Sequence, residues 1–186
     1  MHHFFRIVSW KSKYNIEFKG LNEGAHDFEF EIDNTFFEHF ENSLVDNGDV
    51  TVKVLLEKRS AFIKIQLKIK GWLELICDRC LDSYQQKIKS KTELFVKFGE
   101  KKFEEGENLI WVLPEEHHID LTQTIYEYIT LSIPLRHVHP KNRDGKRECN
   151  KEMLKNLKNY MYTGSEEEET ITDPRWDALK KLGNNN

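Results

Sequence analysis

The chain has 186 residues, of which 38% are hydrophobic and 32% charged, and its formal net charge is -4. This length allows one domain with additions or at most two small domains, and the hydrophobic fraction is enough for a core. No apolar run approaches the roughly eighteen residues of a membrane-spanning helix. The N-terminus lacks the apolar stretch and cleavage site of a secretory signal, so we expect a cytoplasmic protein with no membrane partner.

The first third of the chain predicts two strands and a short helix. Apolar and polar residues alternate over 14–19 and over 26–32, which is the period of a half-buried strand. Thr35 and Glu38 have the spacing of a capping box, and this spacing predicts a helix that runs to about Ser43.

Three strands are predicted in the middle of the chain, over residues 50–57, 61–76 and 84–98. If the last two form a hairpin, their outward lysines share one cationic face. These lysines are Lys64, Lys68, Lys70, Lys87, Lys89 and Lys91. Like charges on neighbouring strands repel, so such a face needs a compensating partner. Alternatively, the register separates the lysines, or they only deter edge-to-edge aggregation.

The second half predicts a short strand over 109–113 and a helix from Asp120, as N-cap, through Ser132. A basic loop follows over 136–149, and a further short helix over 150–162. The predicted fold is α+β, with a mostly antiparallel sheet of about six strands and three or four helices, mainly C-terminal, and a barrel-like sheet is the alternative.

The predicted organisation has three parts. Residues 1–163 form a single α+β domain that contains the CxxC hairpin. Residues 164–172 form an acidic linker. Residues 173–186 form a closing helix and tail, because Asp173 and Pro174 are a strong helix start.

Charge is segregated along the chain. Residues 51–102 carry thirteen Lys/Arg against six Asp/Glu, and residues 136–158 carry eight against three. Two basic blocks in an acidic protein indicate a surface for a polyanion such as RNA, although an ordinary solvated face gives the same pattern. Besides the strand lysines, the candidate contacts are Arg79, Arg136, Lys141, Arg143, Lys146 and Arg147.

The sharpest local feature is a CxxC segment, Cys77 to Cys80. Two thiolates at this spacing can share one tetrahedral zinc, for which Cys149 is a candidate third ligand and His139 or His137 a fourth. A redox role needs a helix after the first cysteine, whereas the flanks are predicted strands. A third reading is reduced thiols without metal. Three cysteines do not form a disulfide framework.

Catalytic signatures such as a phosphate loop, a nucleophile elbow or HExxH are missing, so we expect a non-enzymatic protein. The tryptophans Trp72, Trp111 and Trp176 are interpreted as packing residues. Tyr84, between the CxxC segment and Lys87, is the better candidate for an exposed base-stacking ring.

Taken as a set, these motifs resemble the YceD-like family of large ribosomal RNA subunit accumulation proteins. The resemblance covers roughly residues 15–183. It is carried by CDRCL (77–81), by IDLTQTIYEYITLSIPLRHVH (119–139), by Cys149 and by DPRWDALKKL (173–182). Some family members have additional cysteines after the Pro element, where this chain has one, so a zinc site here needs a Cys/His ligand set.

The resemblance implies a bacterial-type cytoplasmic factor that supports 23S ribosomal RNA accumulation and large-subunit assembly, and it transfers no catalytic residue. We therefore expect binding of ribosomal RNA or a large-subunit ribosomal protein. Two alternatives stay open. One is an interaction module whose acidic segments, 103–135 and 166–169, bind a basic protein. The other is a zinc-binding or redox protein that uses Cys77 and Cys80.

Overall fold

The computed structural model describes residues 10–99 and 108–161. They belong to two units, one ending at Asn150 and the other beginning at Lys151, and each is described by itself. The predicted linker over 164–172 and the closing helix over 173–186 lie outside the described residues. The division into a domain, a linker and a tail therefore stays a prediction.

Within residues 10–99 and 108–150, the first unit contains a 3-10 helix, Trp10–Tyr14, seven strands and two α-helices. In chain order these are β1 (Asn15–Glu17), β2 (Gly24–Ile32), α1 (Asn34–Phe37), β3 (Gly48–Lys58), β4 (Ile63–Ile76), β5 (Ser83–Phe98), β6 (Leu109–Val112), β7 (His118–Asp120) and α2 (Thr122–Leu131). The second unit contains α3 (Lys151–Tyr160). None of the helices in the described ranges has the length and apolarity needed to cross a membrane.

Five strands form one sheet in the order β2-β3-β4-β5-β6, and β1 pairs with β7 in a separate two-stranded sheet. Neighbours from β2 to β5 are antiparallel, whereas β6 runs parallel to β5. The α+β class and the mostly antiparallel pairing are confirmed. The barrel-like alternative is wrong, because β2 and β6 are the two edges of an open sheet.

One face of the sheet, called here the inner face, forms the core. It carries an apolar ladder in which Val52, Ile69 and Val96 are at most 1% exposed. The aromatic rings of the first third pack on its β2 side, where Tyr14 lies 5.9 Å from Phe30 between ring centroids. Because side chains alternate along a strand, burial of this set turns the intervening polar residues to the opposite, outer face.

The boundaries of α1 and α2 differ from the predicted ones, and in α1 a different residue provides the cap. At α1 the cap is Asp33, whose carboxylate accepts the N–H of Thr35 at 3.1 Å, and the helix ends at Phe37 instead of near Ser43. At α2 the Asp120 carboxylate accepts the N–H of Thr122 at 2.8 Å, so the predicted capping residue is used, although helical geometry begins at Thr122.

The middle of β4 requires glycine. Gly71 is in register with Val50, and a Cβ at this position would lie 2.1 Å from the Asp49 carbonyl oxygen and 2.6 Å from the Val50 Cα.

We expect Gly71→Ala to lower the free energy of unfolding by about 1–3 kcal/mol, because two strand backbones must separate. Urea titration measures this. Gly20→Ala is the matched control, since its added methyl would meet nothing within 4 Å, and equal losses for both would contradict the explanation.

Candidate metal centre and lysine-rich face

The CxxC segment forms the turn between β4 and β5. The N–H of Leu81 donates to the Cys77 carbonyl at 2.9 Å, and the Cys77 N–H donates to the Asp82 carbonyl at 2.9 Å. Leu81 has a φ of 60°, the left-handed conformation that tight turns use. Strands flank the turn on both sides, as predicted, so no helix N-terminus follows Cys77 to activate it for thiol–disulfide chemistry.

A second segment is tied to this turn by reciprocal hydrogen bonds. The Asp78 N–H donates to the His137 carbonyl, and the His137 N–H donates to the Asp78 carboxylate, both at 2.7 Å. The side chain of Arg147 closes the basic loop by donating to the His139 carbonyl at 2.5 Å. These bonds bring His139 and Cys149 to the CxxC turn across about sixty residues of sequence.

Four ligand atoms converge there, from Cys77, Cys80, His139 and Cys149, and all lie within 4.8 Å of one another. The Cys80 Sγ is 3.6 Å from the His139 Nδ1. In a tetrahedral zinc site with bonds of 2.0–2.3 Å, the ligand atoms are separated by roughly 3.5 Å. The residues present therefore fit zinc after small side-chain movements, and the set is the Cys/His combination predicted from the sequence.

The centre is arranged to hold a negative charge on one thiol. Burial acts to raise the pKa of Cys77, but hydrogen bonds from three backbone N–H groups and from the His139 side chain outweigh it and lower the pKa from 9.0 to about 6. The backbone donors belong to Arg79, Cys80 and His139. Burial and the neighbouring Cys77 raise the pKa of Cys149. These hydrogen bonds therefore favour the thiolate of Cys77, which is the form that binds metal.

Tyr84 supports this centre and does not face solvent. Its side chain is 7% exposed, and its ring centroid lies 5.0 Å from that of His139. Burial, followed by the charge of Cys77, raises the pKa of its hydroxyl. The interpretation of Tyr84 as an exposed base-stacking ring is wrong, because the residue belongs to the inner face of β5.

The outer face collects the strand lysines. Lys68 is in register with Lys91, and Lys70 with Lys89, while Lys87 lies opposite Trp72. The sequence analysis missed Lys53 on β3, which extends the first of these rows because it pairs with Lys68. We call this set the lysine-rich face: Lys53, Lys68, Lys70, Lys87, Lys89 and Lys91. Most of it lines a concavity of about 720 Å³.

Only part of this charge is neutralised internally. Lys64 forms an ion pair of 3.0 Å with Glu93, a carboxylate that also accepts a hydrogen bond from Gln66. The Lys64 hydrogen bond is the main reason that the pKa of Glu93 is lowered. Lys53 pairs with Glu29 at 3.2 Å. Within residues 10–99 and 108–161, no carboxylate forms an ion pair with Lys68, Lys70, Lys87 or Lys89.

The structure does not join the loop cations to this face. The basic loop is tied to the CxxC turn, whereas the nearest member of the face, Lys87, pairs with Trp72, five residues before Cys77, or about 17 Å along the strand. Arg79 and most of the loop cations are exposed near the metal centre: Arg136, Lys141, Arg143 and Lys146. The Arg147 guanidinium donates one hydrogen bond to the His139 carbonyl. The predicted contacts therefore form two separate cationic regions.

Comparison with known proteins agrees with this arrangement of motifs. The family model described as "Large ribosomal RNA subunit accumulation protein YceD" matches residues 65–183. No curated protein and no solved structure matches the chain. The matched range includes the CxxC turn, α2 and the basic loop with Cys149, and it covers more than half of the sequence. The chain therefore belongs to the YceD family of large ribosomal RNA subunit accumulation proteins.

Proposed function

We propose that the chain supports accumulation of large-subunit ribosomal RNA, the role that its family name implies, by binding that RNA through the lysine-rich face. The observation that carries the proposal is the register of β4 and β5. It places Lys68 against Lys91 and Lys70 against Lys89 on an exposed surface. Phosphates would occupy the space between these ammonium groups.

The energetics favour a polyanionic partner. Like charges directly opposite each other on paired strands destabilise a sheet by a few tenths of a kcal/mol per pair. Along an RNA strand, each neutralised phosphate releases bound counterions and strengthens association. A bound RNA strand would replace the repulsion within the two opposed lysine pairs by attraction between lysines and phosphates. The isolated protein has no such compensation.

The same face has an acidic border that orients such a partner. Asp27, Glu29 and Glu31 alternate along the edge strand β2. Glu29 ends the row that Lys53, Lys68 and Lys91 form. Carboxylates at this edge repel phosphates. The RNA backbone would therefore follow the β4–β5 ladder and not run across the sheet towards β2.

We also propose that zinc binds at Cys77, Cys80, His139 and Cys149 in a structural role. Four protein ligands leave no open position for substrate or water, which distinguishes structural from catalytic zinc sites. The zinc would cross-link the β4–β5 turn to the basic loop, adding to the reciprocal bonds between Asp78 and His137. Burial of the cluster, with Cys77 and Cys80 both 0% exposed, suits such a role.

The RNA proposal is tested with the double variant Lys68→Gln/Lys89→Gln, which removes one lysine from each opposed pair. We expect weaker binding to 23S ribosomal RNA fragments and a log–log salt slope that is smaller by about 1.4, or about 0.7 per lost phosphate contact. Because two repulsions are relieved, the variant should unfold at an equal or slightly higher urea concentration than the wild type. Filter binding at several salt concentrations and urea titration give both values.

The control is Lys155→Gln/Lys158→Gln, which removes the same charge from exposed positions on α3. This variant should keep the wild-type salt slope. A wild-type affinity that does not change with salt, or equal slopes for the two double variants, would contradict phosphate binding by the lysine-rich face.

Zinc binding is tested by metal content and thermal stability. We expect about one zinc per wild-type chain after reconstitution, and a lower melting temperature after chelation, because zinc holds two distant segments together. Cys77→Ser and His139→Asn should each lose zinc and become insensitive to the chelator.

His118→Asn, at an exposed position of β7, is the matched control and should bind zinc normally. If the wild-type protein takes up no zinc and its melting temperature is the same with and without chelator, the metal proposal is wrong and the cluster is a set of hydrogen-bonded thiols.

A further inference from the structure

Four aromatic side chains surround a pocket at the end of the β4–β5 ladder distant from the metal centre. They are Phe62, Phe95, Phe98 and Trp111, and with Lys97 they line a cavity of about 550 Å³. Phe95 and Trp111 lie on the outer face. Phe95 lies two residues beyond Glu93 on the same side of β5, in register with Lys64. We call this the aromatic pocket.

The rings of the aromatic pocket are accessible and are paired with a cation. Phe95 is 41% exposed, and its ring centroid lies 6.2 Å from that of Phe62. The Lys97 ammonium lies 5.8 Å from the centroid of the Trp111 ring. Trp111, interpreted from the sequence as a packing residue, lies on the outer face of β6, opposite Lys97, and is half-buried.

Flat apolar rings beside cations provide the chemistry that unstacked nucleobases need. The lysine-rich face lies on the same side of the same strands, and Lys91 and Phe95 are four residues apart on β5, or about 13 Å. Trp72 lies at the other end of the lysine rows, opposite Lys87. Its side chain is half-buried and also faces outward. Aromatic side chains therefore lie at both ends of the lysine-rich face, along the β4–β5 direction that we propose for the RNA backbone.

We infer that the aromatic pocket holds unstacked bases of a single-stranded RNA segment whose phosphates contact the lysine-rich face. This inference rests on the proposed function and specifies its RNA as single-stranded. In a duplex the bases stack on one another and their faces are closed to side chains, whereas loops and single strands present them. Stacking on aromatic rings tolerates any base, so sequence preference should be modest.

The test uses the full-length chain and a fluorescein-labelled 12-nucleotide single-stranded RNA, alone or annealed to its complement. Fluorescence anisotropy should show tighter binding of the single strand. Phe95→Leu and Trp111→Leu should each weaken that binding by roughly tenfold, since stacking on one ring is worth about 1–3 kcal/mol. Their salt slopes should equal that of the wild type, because no cation is removed.

Phe95→Tyr, which keeps the ring, is the matched control and should retain wild-type affinity, and Tyr160→Leu removes a ring that is 89% exposed on α3. Melting temperatures confirm that each variant is folded. If Phe95→Leu and Trp111→Leu bind normally while Lys68→Gln/Lys89→Gln binds weakly, this inference fails and the proposed function stands. Equal or tighter binding of the duplex also overturns it. If the wild type binds neither RNA, both fail.

Discussion

The β4–β5 ladder is the interaction on which the other features depend. Its fourteen paired positions run without interruption from Ile63 with Val96 to Ile76 with Ser83. Because side chains alternate, a shift of one residue in this register would turn the apolar ladder towards solvent and the lysines into the core. The same register sets the opposition of Lys68 to Lys91, the position of the CxxC turn and the outward direction of Phe95. A single hydrophobic constraint thus positions groups of very different chemistry.

The metal centre lies at one end of this ladder on its inner side, whereas the lysine-rich face lies along the middle of the ladder on its outer side. Cys77 continues the inner, buried side of β4, whereas Lys70 belongs to the outer side. A metal at the cysteine turn would therefore contact no phosphate bound by the lysine-rich face. Its effect on RNA binding would be indirect, through the end of the hairpin and the basic loop that is tied to it. This separation allows loss of metal and loss of lysines to be distinguished by experiment.

Sequence patterns predicted the features that depend on residues close together in the chain. Alternation of apolar and polar residues predicted β3, β4 and β5 and the side on which their lysines lie, because burial of one face fixes the other. The ligand types predicted the Cys/His cluster, although only the fold shows that Cys149 and His139 meet the CxxC turn. Alternation carries no information on strand direction or on the pairing of distant strands. The parallel β6, the β1–β7 pair, Lys53 as part of the cationic row, and the burial of Tyr84 were therefore missed or wrong.

The fold tolerates a cationic surface that internal carboxylates neutralise only in part, because burial of the core contributes more free energy than the lysine repulsion costs. Each opposed lysine pair costs a few tenths of a kcal/mol, whereas full burial of one large aliphatic side chain contributes about 1.5–3 kcal/mol. The inner face of β4 alone buries Ile63, Ile65 and Leu67 to 0% exposure. The core therefore outweighs the repulsion several times over, and folding does not require neutralisation of the outer face. The opposed lysines are therefore not needed for folding, and binding of a ligand is the role that we propose for them.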